Sequence, residues 1–331
     1  MRVLVTGGAG YCGSVLVPDL LSEGHDVTVI DTFWFGDYLP NHPNLQKVRG
    51  DFRNLDLLSS CLKNQEVVFH LAAIANDASF ELDEKLSTSI NYDSFKPLVT
   101  RAKSLGVRHF IYASSSSVYG VSEMPEVKEE HELVPLTLYN KYKGMCEPLL
   151  FDITDNNFIG TVFRPATVCG FSPRQRLDLS VNILTNHGFN NHKIKVFGGS
   201  QKRPNLHVKD YSRACRALMN ADMDKVKNQI FNVGGYNLSI EQLARIVQKE
   251  VARFKKVPVE QIEIVSESSD DLRSYHINSD KISTYLDFQP RLSVEDAIVD
   301  LCKAFESGYF SNPMSNTMYF NVKRMKELGV E

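Results

Sequence analysis

The first thirty residues constrain the fold more than any other stretch of this chain. Arg2 to Thr6 is a short run of β-branched and aliphatic residues that meets Gly7-Gly8-Ala9-Gly10-Tyr11-Cys12-Gly13. Val15, Leu16, Leu20 and Leu21 follow at helical spacing, Gly24 stops the helix, and Val27 to Ile30 reads as a second strand. Strand, glycine turn, helix and strand make a βαβ unit. In such a unit Gly7 tightens the turn, Gly10 lets backbone approach a pyrophosphate, and Gly13 lets the helix pack close to the strand. The helix N-terminus, with the backbone of Tyr11 and Cys12, then faces the phosphate charge. Asp31 ends the second strand about 20 residues on, where a carboxylate accepts from both ribose hydroxyls. Thr32-Phe33-Trp34-Phe35 holds no Arg or Lys to meet a 2′-phosphate, so NAD is expected over NADP.

The pattern continues. Leu45 to Val48 reads as a strand running into Gly50-Asp51-Phe52-Arg53, with Asp51 placed either to cap the next helix or to bond an adenine edge. Val67 to His70 is a buried strand followed by Leu71, Ala72 and Ala73, small enough for backbone to pass under a dinucleotide; His70 reads as a packed strand-end histidine. Val107 to Ala113 and Phe158 to Phe163 are further strands, the latter leading into Arg164-Pro165. Strands alternating with helices predict an α/β fold, a Rossmann doubly wound parallel sheet with its chemistry at the carboxyl ends of the strands. Gly7, Asp31, Ala72, Ser115 and Pro165 fall at such ends. Residues 1–169 are expected to form the NAD-binding domain and 170–331 mainly a smaller α/β substrate-binding domain, some segments of which return to the first.

Ser114-Ser115-Ser116-Ser117-Val118-Tyr119-Gly120 and Tyr139-Asn140-Lys141-Tyr142-Lys143 carry the reactive groups. On a helix Tyr139 and Lys143 share one face at i and i+4, so the ammonium can reach toward the phenol. A neighbouring cation favours phenolate and brings tyrosine, ordinarily near pH ~10, within range of acid-base work. A serine from the preceding strand end would share the substrate oxygen. That is a Ser/Tyr/Lys set for oxidising an alcohol.

Composition excludes several other classes. A net charge of −3 gives no electrostatic reason to expect nucleic acid or an anionic membrane as partner. The six cysteines form no C-x-x-C pair, and no His cluster has zinc spacing, so no metal is expected. With no apolar run of bilayer length and no leader-like start, the expectation is a cytoplasmic protein.

The sequence resembles the extended short-chain dehydrogenase/reductase family, in its nucleotide-sugar epimerase and dehydratase branch. The matching residues are Thr6 to Gly13, Asp31, Gly50-Asp51-Phe52, His70 to Ala73, Ser114 to Gly120, Tyr139 with Lys143, Arg164-Pro165, His207-Val208-Lys209-Asp210 and Asn232-Val233-Gly234-Gly235. The resemblance implies a nucleoside-diphosphate sugar held between the two domains. It makes Ser115 the hydroxyl that bonds the sugar, Tyr139 the acid-base, and Lys143 the residue that holds the nicotinamide ribose and lowers the tyrosine pKa. It puts Asn91 near the active site, and Arg203 and Arg273 on the sugar nucleotide's pyrophosphate, where a planar guanidinium binds phosphate in two places. A homodimer built from the Asn91 and Tyr139 helices is implied in the same way.

Departures from the family narrow the chemistry. Its 4,6-dehydratases carry Asp-Glu after the catalytic Thr, where this chain has Ser116-Ser117, and a 3,5-epimerase branch carries Cys at the position of Ser117. Cys169 reads as packing, and Pro148 should kink the Tyr139 helix after its catalytic turn. Arg174, Arg176 and Asn182 have two open readings, a substrate-facing wall or a solvated loop with a helix cap. The expected activity is NAD-dependent epimerisation of an NDP-hexose, most simply at C4 through a transient keto sugar. The alternatives are an NAD(P)-dependent nucleotide-sugar reductase or dehydrogenase with the same site, and, remotely, a non-catalytic dinucleotide sensor.

Overall fold

The computed structural model describes residues 1–122, 124, 126–267, 274 and 276–330; Arg273 lies outside them. In chain order the first half runs β1 Arg2–Thr6, α1 Gly13–Ser22, β2 Asp26–Asp31, β3 Leu45–Arg49, α2 Leu55–Leu62, β4 Val67–His70, α3 Asp77–Phe80, α4 Glu84–Thr88, α5 Phe95–Ser104, β5 His109–Ala113, α6 Leu138–Phe151 and β6 Ile159–Pro165. The second half adds β7 Thr167–Cys169, α7 Ser180–Asn191, β8 Lys193–Phe197, β9 Lys202–His207, α8 Val208–Asn220, α9 Met223–Val226, β10 Gln229–Val233, β11 Tyr236–Ser239, α10 Ile240–Lys255, β12 Glu263–Glu267, α11 Asp280–Leu286, α12 Val294–Glu306 and α13 Asn321–Glu327.

The expected doubly wound sheet is present. Seven parallel strands lie in the order β10-β6-β5-β4-β1-β2-β3, and the order reverses between β1 and β4, which opens a crevice at their carboxyl ends. Strands β1, β4 and β5 are apolar along nearly their whole length because helices cover both faces. On one face Leu16 and Leu20 of α1 and Ala214 and Leu218 of α8 pack on Val5, Val29 and Phe163. On the other, Leu58 of α2, Leu98 of α5 and Leu150 of α6 pack on Leu4, Val68 and Phe110.

Segments from the second half complete this layer. After β9 the chain returns through α8 to place β10 beside β6 in parallel register, Phe231 opposite Phe163. The remaining elements form a three-stranded sheet, β11-β9-β7, and a parallel pair, β12-β8. They surround a third core in which α7, α10 and α12 contribute Leu184, Val247 and Ile298. Helix α10 begins with a capping box between Ser239 and Gln242.

The tail carries an element with no strong signal in the sequence. Helix α13 folds back onto the first domain: Met325 and Val330 are buried in the core of the α2/α5/α6 face, and Arg324 Nε donates to the Trp34 carbonyl at 2.9 Å. Among the described residues no helix is long and apolar enough to cross a membrane, and no cluster of His, Cys, Asp or Glu could hold a metal ion.

Candidate active site

One cavity of about 630 Å³ follows the carboxyl ends of the parallel strands and continues between the two halves of the chain. Gly7, Gly10, Tyr11, Cys12, Gly13, Asp31, Asp51, Phe52, Leu71, Ala72, Ala73 and Pro165 line it, together with Ser115, Tyr139, Lys143, Arg174, Arg176 and Arg203. Sequence positions far apart are thereby brought to one wall.

The glycines are there for steric reasons. Gly7 has φ +72°, and a Cβ on it would lie 2.6 Å from the Ala72 nitrogen; a Cβ on Gly13 would lie 2.4 Å from the Gly8 carbonyl oxygen. The turn therefore presses against the loop after β4 while α1 starts directly behind it. Asp31 accepts from the Ala9 N–H at 3.0 Å and the Phe33 N–H at 2.8 Å. Burial pushes its carboxyl above the ordinary value, and these two N–H groups pull it back. Asp51 does not cap α2; Asn54 does. Instead Asp51 accepts from Arg53 Nε at 2.9 Å and faces the cavity.

Helix α6 sets the reactive pair. Thr137 caps it, Tyr139 stands in its first turn facing Phe80, and Lys143 lies one turn on. Lys143 is buried, donates from Nζ to the Ala113 carbonyl at 2.7 Å and rests over the Tyr112 ring. Burial lowers its pKa to about 8. Beneath it His70 bonds Thr6 Oγ1 through Nδ1 at 2.7 Å and is held neutral, its pKa lowered to about 3 by burial and by the Lys143 charge. That is the packed histidine expected.

Sequence reasoning missed the support of this pair. Glu147, two turns after Tyr139, is buried and binds Arg164 through both oxygens, at 3.0 and 2.6 Å, while accepting from Ser114 Oγ at 2.6 Å. The strand end, β6 and α6 are so tied at one point. Ser115 Oγ lies 2.7 Å from Ser117 Oγ, and Ser117 donates to Asn140 Oδ1. Its i+8 spacing from Tyr139 was the available sign for Glu147; nothing local marked Asn140.

Two expected residues are not in the wall. Asn91 is buried and spends its amide on Ile74, accepting from its N–H and donating to its carbonyl, both at 2.9 Å. It shapes the loop after β4. Asn182 accepts from the Gly170 N–H at 2.9 Å and donates to the Arg176 carbonyl at 2.8 Å and to the Tyr11 hydroxyl at 3.1 Å. It fastens the loop after β7 to the glycine turn. That loop is not solvated either. Arg176 is buried and paired with Asp178 at 2.9 Å, which also accepts from the Asn321 N–H at 2.9 Å. Cys169 is buried with Sγ toward the Leu206 carbonyl, a packing role. Asn76, Asp77, His187, Lys195, Phe197, Trp34, Phe35, Asn321 and Met325 also line the cavity.

The cavity is lined by the glycine turn and Asp31 and by a hydroxyl, a phenol and an ammonium, those of Ser115, Tyr139 and Lys143. The sequence profile of the NAD dependent epimerase/dehydratase family matches residues 3–234. The dTDP-glucose 4,6-dehydratase of Streptomyces niveus is 26% identical over 325 residues, covering 91% of this chain and 91% of its own length. The UDP-glucose 4-epimerase of Lactobacillus helveticus is 28% identical over 269 residues, covering 75% and 82%. The UDP-glucuronic acid 4-epimerase from Bacillus cereus, solved in complex with UDP-glucuronic acid and NAD, has a TM-score of 0.80 at 26% identity, covering 93% of this chain and 100% of that one. The chain belongs to the NAD-dependent epimerase/dehydratase family of extended short-chain dehydrogenase/reductases, and its cofactor is NAD.

Proposed function

We propose that the protein is a nucleotide-sugar 4-epimerase acting on an NDP-hexose. The observation that carries this reading is the pair Ser116-Ser117. The position after Ser115 that faces the cavity holds a hydroxyl bonded to Asn140, not a carboxyl group. Loss of water from the sugar needs an acid for the leaving hydroxyl and a base for the neighbouring C–H. Asp77, one of the carboxylates that line the cavity, accepts from the hydroxyl of Thr137, which caps α6, and Asp178 is paired with Arg176. Oxidation followed by reduction at the same carbon needs neither group.

The residues divide the work as follows. Tyr139 takes the proton of the sugar's C4 hydroxyl and later returns it. Lys143, one helical turn on from Tyr139, favours the phenolate by its charge. Ser115 bonds the same oxygen and holds it in line with Tyr139. NAD, which Gly7, Gly10, Gly13 and Asp31 would hold, would supply the hydride acceptor and donor for C4. Arg203, on β9, holds the diphosphate while the sugar turns over between the two transfers; Arg176, which interacts electrostatically with Tyr139, flanks the sugar. The enzyme works as a homodimer in this reading, as the family resemblance implies.

The test uses an NDP-hexose deuterated at C4. Epimerisation returns the label to C4 in a product of unchanged mass. A product lighter by one water, or NADH accumulating in proportion to product, would remove the reading in favour of a dehydratase or a dehydrogenase.

A further inference from the structure

Arg174 enters the cavity from the loop after β7, and its guanidinium is short of partners. The residue is 3% exposed. Nη2 donates to Asn321 Oδ1 at 2.7 Å, the plane lies 3.9 Å from the centre of the Phe35 ring, and Nε is buried with no hydrogen-bond partner among the described residues. A buried cation with so few of its donors satisfied is costly unless an anion completes it. The two carboxylates that act on it electrostatically are already engaged, Asp178 by Arg176 and the Asn321 N–H, Asp31 by the Ala9 and Phe33 N–H groups. A buried guanidinium with an unpartnered Nε, facing a cavity and flanked only by carboxylates engaged elsewhere, has the donor set that binds an anion.

We propose that Arg174 binds the diphosphate of the dinucleotide, so that a residue of the C-terminal half locks NAD into the N-terminal domain. The chemistry alone fits either diphosphate in the active site, that of NAD or that of the sugar nucleotide. Position decides for NAD. Arg174 stands over Phe35 and acts on Asp31 and Cys12, which mark the ribose carboxylate and the phosphate-binding turn. Arg203, the arginine that the resemblance assigns to the sugar nucleotide, comes from β9 and has no such contact with Phe35 or the glycine turn among the described residues. Asn321, which holds Arg174, belongs to α13, and α13 is fastened by Arg324 to Trp34. Phosphate binding and docking of the tail therefore support one another, and the dinucleotide leaves only when both let go.

The experiment needs no turnover and is independent of the epimerase reading. The purified protein with its resident dinucleotide is mixed with excess NADH. Exchange is followed by energy transfer to NADH from Trp34, the single tryptophan of the chain, which lines the cavity. In parallel, UDP, GDP and dTDP are titrated calorimetrically into the protein at saturating NAD. Arg174→Met should exchange its dinucleotide at least about 10-fold faster, the loss expected for a charge-assisted hydrogen bond, with nucleoside-diphosphate affinity within about twofold of wild type. Arg174→Lys, which keeps the charge but not the fork, should fall between them and decides the matter if the Met variant does not fold. Unchanged exchange in a folded variant overturns the proposal. So does a loss confined to nucleoside-diphosphate affinity, which would give Arg174 to the substrate.

Discussion

At the scale of single residues, the account rests on a phenol and an ammonium held in one turn of helix. Tyr139→Phe removes the proton carrier but no packing, and should lower kcat by about 10³-fold while leaving the NAD content of the purified protein unchanged; turnover and nucleotide release on denaturation measure both. Lys143 gives a pH prediction with a definite sign. Its pKa is about 8 in the folded protein because it is buried, against about 10.4 in an unfolded chain. Between these values the unfolded chain binds the extra proton, so stability rises with pH across that window. Urea unfolding of the dinucleotide-free protein should find Lys143→Met more stable than wild type at pH 7, with the gap closing toward pH 10.5. The rate should fall above about pH 8, as the ammonium that supports the phenolate is lost. Gly7, Asp31, Ser115, Tyr139 and Lys143 were legible in the sequence because each is fixed by local spacing against a strand or helix end. Arg174 and Arg176 were legible only as one of two readings, a cavity wall or a solvated loop, because what buries them, Asp178 and also Asn321 of the C-terminal tail, is not marked by local spacing.

At the scale of elements, α6 is the rail of the site. It carries Tyr139, Lys143 and Glu147 on one face, and Glu147 joins it to β6 through Arg164 and to the β5 end through Ser114. Breaking a buried ion pair from one side leaves an uncompensated charge, which costs several kcal/mol. Glu147→Gln should therefore destabilise the protein by roughly 3 kcal/mol, and the double change Glu147→Leu with Arg164→Met by less, as read by urea unfolding. A double variant no more stable than the single one would show that the pair holds the helix by more than its charge balance. The strands of the parallel sheet were legible because burial on both faces makes them continuously apolar. Helix α13 was not. It is short and largely polar, and its buried Met325 packs against a domain some three hundred residues earlier, a contact that local periodicity does not carry.

At the scale of the whole molecule, the ends of the parallel strands and the second half line one cavity, and α13 of the tail reaches back beside Trp34 to line it as well. Such an arrangement suits a cycle in which NAD is regenerated at each turnover and has no reason to leave. The measurement that tests this most directly is a proton NMR time course on the purified protein, with no cofactor added, against a panel of UDP-, GDP-, CDP- and dTDP-hexoses. The account predicts a new anomeric signal from one of them, approaching a fixed ratio from either epimer at constant absorbance of the dinucleotide. Absence of any turnover until NAD(P)H or a 4-keto sugar is supplied would contradict it and leave a reductase.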